Sequence, residues 1–153
     1  MATGGYILAN SSTNTGSITC IGSMYTPVVT LVGGAGNTVP VYVGNSGTYV
    51  QIGPLVHVNI YLAGDGGAEG AGTGTFTVSL PVVGAPSNEP GGYFPAGYLA
   101  NGTSESPLWA QFTNGGSQVD LAHEDVLNNF VVITGSGQDS TTRSVRLKFS
   151  YYS

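Results

Sequence analysis

Charge is what this chain lacks most. Its 153 residues include three Lys plus Arg and eight Asp plus Glu, so 7% are charged, against roughly 25% in an average soluble domain. Chains that stay disordered are more charged and less apolar than this one, so the sequence predicts a folded domain. A surface this poor in charge predicts either solvation by Ser, Thr and Asn or burial of much of the surface in an assembly. The net charge of −5 argues against nucleic acid as a partner, because phosphate binding needs Lys and Arg.

Cysteine is nearly absent. Cys20 stands alone, which excludes a disulfide within the chain and leaves it as a small apolar residue. With two His and one Cys, a zinc site of four N or S ligands is not expected, and His123-Glu124-Asp125 does not supply one. Asp65 and Glu69 lie among loop glycines, but their spacing does not match a calcium loop and reads better as a hairpin turn. No nucleophile elbow and no phosphate-cradling loop is present, so neither catalysis nor any cofactor is expected. A basic leader followed by an apolar run is missing too, and no apolar run approaches the ~20 residues of a membrane-crossing helix. No membrane partner is therefore expected.

Strong helix formers are also scarce. In their place stand 25 Gly, 8 Pro and 9 Tyr, with much Ser, Thr and Val, a composition of short strands joined by turns. The clearest strand runs through Val56, Val58, Ile60 and Leu62. These alternate with Leu55, His57, Asn59 and Tyr61, the period of two of a half-buried strand. His57 falls on the polar side. Gly53-Pro54 marks a turn before it, and Tyr49 to Ile52 forms the other arm of a hairpin.

Further strands are predicted at Tyr25 to Val32, Val39 to Val43, Phe76 to Leu80, Ser106 to Thr113, Phe130 to Thr134 (as a buried run) and Val145 to Tyr151. Asp120 to Leu127 is the single helical candidate, with Asp120 as its cap. Ala85 to Gly102, rich in Pro and Gly, reads as an irregular excursion. About eight strands with turn signals between them predict an all-β, antiparallel domain of the β-sandwich or jelly-roll kind. Residues 1–22 are expected to form an extended N-terminal arm lying across a neighbouring subunit, unless they simply fray, with residues 23–153 as the domain. The core is expected to hold Val56, Val58, Ile60, Leu62, Phe76, Val78, Leu80, Val145, Leu147 and Phe149.

Three stretches, in order, resemble a β-rich module of tailed-phage virion proteins, found in head decoration proteins, head fibres and the ends of tail fibres and tailspikes. Tyr25-Thr26-Pro27 matches its W-T-P text, with Tyr for Trp. Tyr49-Val50-Gln51-Ile52-Gly53-Pro54-Leu55-Val56-His57-Val58 matches Y-x-K-I-G-x-L-V-x-V, with Gln51 where Lys is common. Phe76 to Pro81 matches a strand ending in Leu-Pro. The likeness covers Tyr25 to Pro81, about a third of the chain. It implies a trimeric structural protein of the particle, without catalytic residues.

As a short chain with no fibre shaft, the protein is expected to be a capsid decoration (cement) protein. In that reading it is made in the host cytoplasm and sits on the outside of the shell, with sister subunits and the major capsid protein, or another virion protein, as partners. The alternatives are a tail-fibre or receptor-binding component and a carbohydrate-binding module for host surface glycan. For the last, Tyr93, Tyr98 and Trp109 would be stacking platforms. Two groups are candidate contacts. Tyr93, Phe94 and Tyr98 sit on a Gly/Pro-rich stretch that suits stacking or a protein partner, unless they plug the end of the core. Arg143, Arg146 and Lys148 are all the basic residues of the chain and predict one positive patch, either facing an acidic surface or protecting an edge strand.

Overall fold

The computed structural model describes residues 20–64, 70–82, 92–101, 104–112, 117–137 and 143–153. The strands are β1 (Cys20–Tyr25), β2 (Val29–Val32), β3 (Gly44–Ile52), β4 (Leu55–Ala63), β5 (Thr75–Ser79), β6 (Phe94–Asn101), β7 (Ser104–Phe112), β8 (Gln118–Glu124), β9 (Phe130–Val132) and β10 (Arg143–Tyr152). All pairings between them are antiparallel. They form one sheet in the order β1-β3-β4-β10-β6-β7-β8-β5-β2, with β9 joined to β8. Among the described residues there is no α-helix, only a single 3-10 turn at Gly135–Gly137.

The sheet is curled into a half-barrel, and a short link makes the curl necessary. β1 and β2 lie at opposite ends of the strand order, yet only residues 26–28 separate them in the chain. Four Cα steps span at most about 14 Å, so the two ends of the sheet are held near one another. Pro27 sits in this link, buried, and is the reason that the expected strand from Tyr25 to Val32 is two strands. It has no N–H to continue a ladder, and the backbone turns from one end of the sheet to the other. The Asn45 side chain donates to the Pro27 carbonyl at 3.4 Å, and Val28 N–H donates to Ser79 Oγ at 2.8 Å.

The core lies inside the curl. Val56, Val58, Ile60 and Leu62 of β4 and Val145, Leu147, Phe149 and Tyr151 of β10 meet Phe76, Val78, Leu108, Ala110, Val119 and Leu121 from the other flank in one cluster. All ten residues expected in the core are buried. At the open end Phe94, Phe112 and Phe149 pack together, with ring centroids 4.8 Å apart for the first two and 5.5 Å for Phe94 and Phe149. The β3–β4 hairpin turns at Gly53-Pro54 as expected. Gly53 has φ 57°, which the first central position of a type II′ turn requires.

Several local expectations are corrected. Asp120 to Leu127 is not helical: it enters β8 and then turns, because Val119 and Leu121 alternate into the core and β7 and β5 supply ladders on both sides. Val39 to Val43 forms no strand. Pro40 interrupts it, and only Thr38 is bridged, exchanging two backbone hydrogen bonds of 2.9 Å with Ala71. The irregular excursion contains β6, whose Pro and Gly are absorbed by a register shift between Pro95 and Gly97. β9 is exposed where a buried run was expected. Of the expected arm, residues 1–19 lie outside the described residues and residues 20–22 belong to β1.

Candidate functional site

The same alternation that points β4 and β10 into the core points every second residue outward. Register then sets three rows across the outer face. Ser46, Tyr61, Arg146 and Tyr98 lie side by side on β3, β4, β10 and β6; Thr48, Asn59 and Lys148 form the next row, and Val50, His57 and Ser150 the third. The His57 Nδ1 and Ser150 Oγ atoms are 2.7 Å apart.

Arg146 is the centre of this face. Its guanidinium carbon lies 5.2 Å from the Tyr61 ring centroid and 5.7 Å from that of Tyr98, within the range of cation–π attraction. One nitrogen donates to the Tyr98 hydroxyl at 2.9 Å. That hydrogen bond, first, and the two nearby phenols hold the guanidinium even more firmly charged than usual. A long side chain is thereby fixed in one orientation by its cross-strand neighbours, with donors left for a partner.

The first two rows line an open groove of about 460 Å³. Gly47 and Gly97 form part of its lining. A side chain at Gly97 would collide with the Arg146 carbonyl, so glycine is what allows β6 to approach β10 there. β3, β4, β6 and β10 carry no Asp or Glu, so among the described residues no carboxylate of these four strands offsets the positive charge of Arg146 and Lys148. Arg143 does not join it. Three positions from Arg146, it points to the other side of the strand, is half-buried, and lies close enough to Tyr42 to oppose the upward push of burial on that phenol. The expected patch of three is thus two plus one.

The aromatic candidates also separate. Phe94 turns inward onto the core, and Tyr98 belongs to the Arg146 row. Tyr93 stacks on Phe130 at 4.7 Å between ring centroids, and Trp109 meets Phe130 edge-on at 4.9 Å. This second cluster lies on the outer face of β7, β8 and β9. Beside it, burial pushes the Asp120 carboxyl above its ordinary range, and burial together with Asp120 pushes the Tyr93 phenol up. The apolar run that contains Phe130 predicts an interior place for it; its pairing opposite Glu124 places it outside.

The turn from β8 to β9 completes that flank. Val126 is 98% exposed and Leu127 75%. Asp125 holds them out: its Oδ1 accepts from Leu127 N–H at 2.8 Å and Asn129 N–H at 2.9 Å, and its Oδ2 accepts from the Asn129 side chain at 3.2 Å. The Asn129 bonds above all hold the Asp125 carboxyl below its ordinary range. Asn128 takes the left-handed conformation, φ 60°, which Asn tolerates better than most residues.

Among the described residues no three His, Cys, Asp or Glu converge as a metal site requires, and no helix is long and apolar enough to cross a membrane. Comparison of the chain with protein-family models, curated proteins and solved structures returned no match.

Proposed function

We propose that the chain is a structural protein of a tailed-phage particle, a decoration (cement) protein that associates with itself as a trimer and binds the outside of the shell. The observation that carries this reading is the outer face of β3, β4, β10 and β6. It combines an oriented Arg146, Lys148 and a groove on a chain with little other positive charge. Such a face suits recognition of an acidic protein surface, where charge sets the rate and specificity of docking. The low charge content and the adjacent Val126 and Leu127, both exposed at one hairpin tip, support assembly, because neighbouring apolar side chains held out to solvent suit a protein contact. The resemblance of Tyr25–Pro81 to phage virion modules supports the particle as the setting. In this reading the two flanks of the curled sheet act as a jelly-roll-like sandwich, residues 1–22 reach a neighbour as an arm, and the protein goes from the host cytoplasm onto the shell.

Quantitative mass spectrometry of purified particles of the encoding phage tests the proposal. The chain should be present in many copies per particle and should be stripped together with the outer proteins before the shell opens. Its absence from particles would remove the reading.

The second reading, a carbohydrate-binding module, rests on the Tyr93, Phe130 and Trp109 cluster beside Asp120. Aromatic faces and a carboxylate are groups that sugars use. Tyr93 and Phe130 stack on each other and Trp109 packs against Phe130, so the rings already cover one another, which makes this reading the weaker of the two.

A further inference from the structure

The two outer flanks of the molecule differ in charge and in shape. All strand-borne positive charge exposed to the outside, Arg146 and Lys148, is on β10. The acids among the described residues, Glu105, Asp120, Glu124 and Asp125, are on β7, β8 and the turn that follows. β4 and β10 share one core with β8 and β5 across the curl, so their outer faces look away from each other. One face is a groove with aromatic walls and two cations. The other ends in a projecting hairpin whose apolar tip, Val126 and Leu127, follows directly on Glu124 and Asp125.

We propose that these surfaces are complementary halves of one contact: the β8–β9 hairpin of one copy seats in the β3–β4–β10–β6 groove of the next. Val126 and Leu127 enter the groove alongside the row in which Tyr61 and Tyr98 flank Arg146, and Glu124 meets Arg146 and Lys148. Asp125 keeps its hydrogen bonds to the turn and presents the tip already ordered, so little conformational entropy is lost on docking. Arg146 is likewise ordered beforehand by its two tyrosines. Because donor and acceptor surfaces are different patches facing away from each other, the contact is heterologous. It builds a closed ring or an open chain, not a two-fold dimer. This deepens the assembly part of the function proposed above by naming its contact, and it does not depend on the phage setting.

The test uses two variants of the whole chain. Val126→Ser with Leu127→Ser removes the apolar tip; Arg146→Glu with Lys148→Glu reverses the groove. All four side chains are exposed, and circular dichroism checks that each variant keeps the wild-type fold. In sedimentation velocity at low salt, wild type should associate and each variant alone should be monomeric. An equimolar mixture should form a dimer of one copy of each, since one contributes the intact groove and the other the intact hairpin, and it should grow no further. Glu124→Lys added to the groove-reversed chain should restore association of that chain with itself. A monomeric wild type, a variant that keeps wild-type mass alone, or a mixture that stays monomeric would each overturn the contact. Shell binding is not read in this experiment. A protein that associates in this way but never binds shells would refute the decoration reading and leave the contact standing.

Discussion

Truncating Phe76 to Ala probes whether the two flanks share one core. The side chain is fully buried, meets Tyr42 edge-on with ring centroids 6.3 Å apart, and joins the cluster that contains β4 and β10. A phenylalanine buries about 200 Å², worth about 5 kcal/mol at ~25 cal/mol per Å². Alanine retains a little of that, and the flanks relax only partly into the space, so the expected loss is about 3–5 kcal/mol. That is a large share of the roughly 5–15 kcal/mol that holds an average domain. For a chain of this size it lowers the melting temperature by about 6–20 °C. Urea unfolding followed by Trp109 fluorescence measures it, with Val126→Ala as the exposed control, for which no change is expected. If Phe76→Ala unfolded within about 1 kcal/mol of wild type, the β5 flank would not be packed against the rest and the curled architecture would be wrong.

Gly97→Ala should separate β6 from β10 and displace Tyr98 from Arg146, since the added methyl group meets the Arg146 carbonyl; amide hydrogen exchange should rise in both strands, and unchanged protection would contradict the packing. Burial raises the Asp120 carboxyl above its ordinary range, so the folded state holds its proton longer than the unfolded chain does. The charged form is the costly one, and stability from this group should fall as pH rises from the ordinary aspartate range through the raised value. Asp120→Asn should remove that fall, measured as the urea midpoint against pH; a midpoint that follows wild type at every pH would show that the carboxyl is solvated. Trp109→Ala should abolish any retention on host polysaccharide if the aromatic cluster binds sugar, whereas the decoration reading expects no retention of wild type either.

Strict alternation made β4 and β10 legible from residue types alone, and with them the core and the outward direction of Arg146 and Lys148. The separation of Arg143 was legible as well, because residues three apart on a strand take opposite faces. The text of β6 hid the strand: Pro95 and Gly97 argue against one, and only the register shift and the neighbouring β10 accommodate them. Residues Asp120 to Leu127 spell a capped helix by local preference, and the ladders of β7 and β5 override it. The run Phe130 to Thr134 reads as interior because its first four residues are apolar, yet pairing with β8 puts Phe130 and Val132 outside, and of those four only Ile133 is buried. The site itself was half legible. The cations were visible, but their meeting with Tyr61 and Tyr98 depends on the order β4-β10-β6, which no local pattern encodes.

The decoration reading is tested most directly by adding purified protein to shells of the encoding phage that lack it, and measuring co-sedimentation at low and at high salt. The account predicts saturable binding that weakens as salt screens the charged contacts, and that falls when Arg146 and Lys148 are both replaced by Glu, because copies that no longer join through these cations lose the avidity of the assembled protein. Wild-type protein that leaves the shells bare at every concentration, or a double variant that binds like wild type at both salt levels, would contradict it.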